Sequence, residues 1–137
     1  MFNRQRQFSV KRTNLLDFAR QLSARLGIRS GFTVVLMGDK AMRRYNRQFA
    51  GYDEATDVLS FPAREEQSDR APDGEDYLGD ILISVETADR QRRAGLDEEL
   101  RVLVLHGVLH LLGHDHTADN GEMEKLEKQL KGEFSLS

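Results

Sequence analysis

"LRVLVLHGVLHLLGHDH", residues 100–116, holds all four of the chain's histidines, and up to Leu112 it is apolar on nearly every side of a helix. A helix with no polar face belongs in the middle of a domain. We therefore expect residues 97–112 to form a central, buried helix with the remaining elements packed around it. Gly113 tolerates positive φ and would end the helix, letting the chain turn back. His106 and His110 are four residues apart and so project side by side from one face. Both imidazoles can address one metal ion, and His116, on the returning loop, is placed to supply a third nitrogen. Three neutral nitrogens around a tetrahedral ion leave one position for water, the plan of a catalytic zinc site. Such an ion lowers the water's pKa from roughly 15.7 to about 7. The alternative, a metal-free histidine pair in a greasy helix, is costly to bury without partners.

The spacing H-x3-H-x2-G-x2-H matches that of a class of zinc proteases except at Gly107, where those enzymes carry a glutamate base. With no base there, peptide hydrolysis by the usual route is not expected. Phosphodiester cleavage is more tolerant, because RNA brings its own 2′-hydroxyl nucleophile. His114 is awkward as a further ligand beside His116 and is read as a surface or substrate-facing ring. Asp115 either orients a ligand imidazole from the second shell or stabilises the turn.

Working outward, residues 7–11 suggest a first strand. Thr13 is a plausible N-cap for a helix carrying Leu15, Ala19, Leu22 and Leu26, with Gly27 as its stop. "GFTVVLMGD" (31–39) reads as a buried strand. Asp39 then caps a short helix whose Met42, Tyr45 and Phe49 face inward. "TDVLSFP" (56–62) is a strand ended by Pro62, and residues 63–77 read as a polar surface loop. "YLGDILISVE" (77–86) is a strand running into a helix over 86–94 that Gly95 ends. A last helix covers about 120–132, with Met123, Leu126 and Leu130 inward. The order β-α-β-α-β-β-α-α-α gives a single α+β domain over residues 1–137. It has a small mixed β-sheet of about four strands and about five helices, with the metal site on the buried helix and the loop after it.

The chain has 137 residues, no cysteine, 39% hydrophobic and 31% charged residues. Disulfides, thiolate metal sites and a cysteine nucleophile are excluded. No apolar run approaches a membrane span, no secretory signal is apparent, and a cytoplasmic location is expected. The net charge of −3 is segregated: residues 1–48 hold 11 Lys/Arg and 2 Asp/Glu, so residues 49–137 hold 9 and 21. Such a division marks either a face for a polyanion or two parts that neutralise each other on packing.

The same alternatives apply to Lys40, Arg43, Arg44 and Arg47, which share a helix face opposite Met42, Tyr45 and Phe49. They are RNA-binding candidates that would hold phosphates without reading sequence, or an ordinary solvated face. No aromatic-interleaved RNA-binding motif is evident. Asp80 stands in an otherwise apolar strand, where a carboxylate needs a partner. It is a candidate proton acceptor or substrate orienter near the metal, or a tie from the strand to a loop or partner surface. Ser60 and Ser84 are read as structural.

"HGVLHLLGHDH" (106–116), "TDVLSFP" (56–62), "LGDILIS" (78–84) and the trailing "EMEKLE" (122–127) together resemble the signatures of the YbeY family of bacterial rRNA maturation factors. The resemblance runs from about residue 40 to 130. It implies a metal-dependent single-strand endoribonuclease acting in small-subunit rRNA 3′-end processing and ribosome quality control, with the small ribosomal subunit and assembly factors as partners and no DNA or membrane involved. It aligns His106, His110 and His116 with three zinc ligands, so the expected cofactor is one divalent ion, Zn2+ before others. Two positions depart from the family pattern. Ala55 replaces a proline, which affects only the loop before the strand. Ala50 stands after Phe49 where many members have an arginine, thought to contact RNA phosphate, and Arg47 is a candidate replacement. Two other readings stay open: a ribosome-assembly binding factor with a mainly structural metal, and another metal-dependent hydrolase, peptidases included.

Overall fold

The computed structural model describes residues 1–63, 77–113 and 121–136. His114, Asp115 and His116 lie outside the described residues, as does all but the ends of the polar loop expected over 63–77. The elements are β1 (Phe2–Asn3), α1 (Arg12–Leu26), β2 (Gly31–Met37), α2 (Asp39–Tyr45), a wider π-helical turn (Asn46–Ala50), β3 (Val58–Pro62), β4 (Tyr77–Ser84), α3 (Val85–Gln91), α4 (Leu96–Leu111) and α5 (Glu122–Glu133). Their order and the α+β class are those expected. The four strands run β1-β2-β4-β3. β1, β2 and β4 are parallel, and β3 is antiparallel to β4 along the edge.

Several boundaries differ from expectation, each for a local reason. The first strand is Phe2–Asn3, not residues 7–11. The Gln5 amide folds back there, accepting from Phe8 N and donating to Phe8 O, both at 2.9 Å, which closes a turn instead of a strand. Lys11, not Thr13, precedes the first turn of α1, and no side chain caps it. Gly27 ends α1 at φ 68° as expected. Gly38, not Asp39, precedes α2. The Asp39 carboxylate instead reaches α3: it accepts from Ser84 Oγ (2.5 Å) and Thr87 Oγ1 (2.6 Å) and pairs with Arg90 (2.7 Å). Burial opposes its charge, but the Arg90, Ser84 and Thr87 hydrogen bonds outweigh that and hold its carboxyl below the usual range. α3 stops at Gln91, where Arg92 turns extended, and Gly95 begins α4 rather than ending α3.

Side chains alternate across the sheet and divide the core in two. Val34, Leu36, Ile81 and Ile83 face α1 and α4, meeting Leu15, Phe18, Leu22, Leu100, Val104 and Val108. Val35, Met37 and Leu82 face the other way, where among the described residues Met42, Ala41 and Tyr45 from α2 and Leu59 and Phe61 from β3 cover them. That second face is half open. Phe49, expected to point inward, is 58% exposed on it, because the π-helical turn swings it past the edge of the core.

Two glycines set how these layers meet. α4 crosses β4 at Gly107, where a Cβ would stand 2.7 Å from Ile81 Cγ2. The Ser60 hydroxyl donates to Gly107 O at 3.2 Å, pinning the same turn to β3. In β4, Leu78 is an extra residue: Tyr77 pairs with Gly31 and Gly79 with Phe32. Gly79 takes φ 144°, and a Cβ there would lie 2.3 Å from Phe61 O. The bulge reverses the alternation on its two sides, so Tyr77 and Asp80 share the half-open face.

Candidate metal centre

His106 and His110 lie in the second half of α4, the stretch the sequence marked as buried, yet both rings reach a shallow groove beside the edge strand. Val58, Leu59, Ser60 and Pro62 form its opposite wall. The two Nε2 atoms converge to 3.0 Å, with ring centroids 4.5 Å apart and planes at 63°. Two nitrogens sharing a tetrahedral zinc ion at ~2.0–2.1 Å would stand about 3.3 Å apart, so a small opening of the pair admits the ion. At that separation the two rings are hydrogen-bonded, the donor being set by the tautomer. The far nitrogen of His106 is also held, with Nδ1 3.4 Å from Glu127 Oε1 on α5. A carboxylate behind a ligand histidine fixes its tautomer and aims its other nitrogen. Sequence reading missed Glu127, although it belongs to the "EMEKLE" stretch and lies one turn from the buried Met123. No group of three or more metal-ligating side chains occurs among the described residues. The residues present fit two nitrogens of the expected set, and Gly113, at φ 92°, lies just past the end of α4.

Gly107 does not face this groove. It is buried against Ile81, so the helix position that carries a base in proteases is occupied here by helix–sheet contact. Glycine is required at this position by that packing.

Asp80 is not beside the histidines either. It pairs with Thr33 and Phe61 on the half-open face, while α4 covers the face of Ile81. Its reading as a proton acceptor near the metal is therefore corrected. Alternation along β4 sends neighbouring residues to opposite sides, and Asp80 falls on the wrong one. Its Oδ1 is bonded to the Tyr77 hydroxyl, which also meets Thr33 Oγ1 at 2.6 Å. Burial, and then the hydrogen bond to Asp80, push the Tyr77 phenol up to about 12. A phenol that keeps its proton to higher pH in the folded state stabilises fully below its unfolded pKa of about 10, and the contribution fades as pH rises through the folded value. An ultraviolet titration should show a phenolate component centred near pH 12. Tyr77→Phe should remove that component, and loss of a component near the ordinary tyrosine value instead would refute the assignment.

The basic residues of α2 are exposed as expected but are not equivalent. Arg43 is bidentate to Asp53 at 2.8 and 3.0 Å, and Arg47 lies 3.9 Å from the same carboxylate. Lys40 and Arg44 have no ion-pair partner among the described residues. Neither Arg47 nor Ala50 is among the residues that line the histidine groove, and Arg47 lies beside Asp53.

The family model "Endoribonuclease YbeY" matches residues 1–135. A protein of that name from Solibacter usitatus is 40% identical over 131 residues, covering 93% of this chain and 82% of that one. Another, from Koribacter versatilis, is 43% identical over 130 residues, with 93% and 80% covered. A solution structure from Thermotoga maritima superposes with a TM-score of 0.60 at 26% identity, covering 98% of this chain and 90% of that one.

Proposed function

This chain belongs to the endoribonuclease YbeY family, and on that premise we propose that it is a metal-dependent endoribonuclease cutting single-stranded RNA. Its substrate is rRNA of the small subunit near the 3′ end, met in the cytoplasm together with that subunit and its assembly factors, and its cutting serves ribosome quality control as well. The observation that carries the metal dependence is the convergence of the His106 and His110 Nε2 atoms in a groove open at the edge strand. His116 completes the ligand set. Zinc suits imidazole ligands, and when bound it would supply Lewis-acid polarisation of a phosphodiester and acidification of water.

The chain's own residues do the rest. Glu127 keeps the His106 ring turned so that Nε2 faces the groove. Val58, Ser60 and Pro62 wall the groove on the strand side and leave room for an extended backbone. Lys40 and Arg44 are the α2 cations left to hold phosphates, since Asp53 engages Arg43 and Arg47. Such contacts position RNA without reading its sequence and weaken steeply with salt.

The test is cleavage of a defined single-stranded RNA by the purified chain. A chelator should lower the rate by about a hundredfold or more, and added zinc should restore it, in keeping with a metal that carries the chemistry. Equal cleavage before and after chelation would end the metal-dependent reading.

A further inference from the structure

We infer that the cleft on the half-open face of the sheet is a guanine pocket, taking a nucleotide that neighbours the one cut at the histidines. The inference rests on the ribonuclease reading and adds a base preference to it. The cleft has a volume of about 770 Å³, ample for a nucleotide. Its wall is aromatic: Tyr45 and Phe49 stack at 6.0 Å and 17°, and Phe61 meets Phe49 edge-on at 5.4 Å. Phe49 is 58% exposed, an apolar ring that meets only Tyr45 and Phe61 as ring partners among the described residues. Rings placed this way suit stacking by an unpaired base.

Beside the apolar Val35, Met37 and Leu82, the sheet offers the cleft one polar cluster, Thr33, Tyr77 and Asp80, whose protons are accounted for. The Tyr77 hydroxyl donates to Asp80 Oδ1 and accepts from Thr33 Oγ1. Neither hydroxyl has a proton left to offer the cleft, so the floor presents carboxylate oxygens, which only accept. Guanine answers with two adjacent donors on its Watson–Crick edge, N1–H and N2–H. Adenine and cytosine each set one donor beside an acceptor, which a carboxylate repels. Arg4 stands at the rim, where the nucleotide's phosphate would meet it. An arginine side chain of a protein partner could also pair with Asp80 between aromatic rings, but Arg4 and the net charge of the first 48 residues, 11 Lys/Arg against 2 Asp/Glu, favour an anion. Pro62 lines both this cleft and the histidine groove. A single strand can therefore pass over the edge of the sheet from one to the other.

The test is a ¹H–¹⁵N titration of the full chain with 5′-GMP, 5′-IMP and 5′-AMP. The expected result is a shift of the Phe49, Phe61, Tyr77 and Asp80 amides, with GMP binding about tenfold or more tighter than AMP and IMP falling between. Asp80→Asn should reduce the GMP preference to within about twofold. Phe49→Ala, at an exposed ring that the fold does not need, should weaken both nucleotides about tenfold. Equal affinities, or shifts confined to α4, would overturn the proposal. So would acetyl-arginine amide shifting these amides where GMP does not, which would assign the cleft to a basic protein partner. Metal-dependent RNA cleavage without GMP selectivity defeats this inference alone. GMP selectivity without metal-dependent cleavage defeats the ribonuclease reading alone.

Discussion

Gly107→Glu should leave the chain largely unfolded, not endow it with a peptidase base. The helix and β4 touch at this residue: an added Cβ would lie 2.7 Å from Ile81 Cγ2 and 3.1 Å from its Cδ1 and Cγ1. Overfilling a packed core by one methyl costs ~1–3 kcal/mol. A glutamate adds a carboxylate buried without a partner, at several kcal/mol more, against a total stability of ~5–15 kcal/mol. Thermal melts followed by circular dichroism should place Gly107→Ala roughly 5–10 °C below wild type, with Gly107→Glu showing no cooperative transition. Ile81→Val should recover part of the loss in Gly107→Ala, because neighbours in contact are not additive. A Gly107→Glu chain that melts like wild type would show that α4 does not approach the sheet here.

His110→Ala should abolish tight metal binding and lower RNA cleavage at least a hundredfold, with the fold kept. His110 is part-exposed in the groove, so its truncation opens no sealed cavity. Glu127→Gln is the finer probe, since removing the charged partner of a ligand histidine costs about 10–100-fold in metal affinity. Metal content by mass spectrometry, read beside cleavage rate, separates the two. A His110→Ala protein that retains zinc and cleaves at the wild-type rate would assign the activity to a contaminant.

How much of this was legible in the sequence depends on what each signal reports. The order of elements was readable because the periods are local: Leu15, Leu22 and Leu26 mark α1, and the β-branched run of 31–37 marks β2. The side-by-side histidines were readable for the same reason, four residues being one helical turn. What failed was non-local. Asp80 was placed near the metal because both were conspicuous, but which face a strand residue takes depends on register with Thr33 and Phe61, and an extra residue at Leu78 lies between it and Tyr77. The packing role of Gly107 was not legible because a motif records position along a helix and not what the helix lies against. Glu127 was missed because it meets His106 only through the packing of α5 on α4. The metal histidine at 116 rests on the sequence alone.

The extra residue in β4 makes the strand behave as a message with a reading frame. Loss of Leu78 would close the bulge and still leave Tyr77, Gly79 and Asp80 opposite Gly31, Phe32 and Thr33, so Tyr77 and Asp80 would keep to one side of the sheet. What the frame forbids is regular pairing at the present length: with Leu78 taking its own place in the ladder, Tyr77 and Asp80 would fall on opposite sides and the cleft would lose one of its two polar groups. The strand can therefore give up a residue here more safely than it can give up the bulge at its present length.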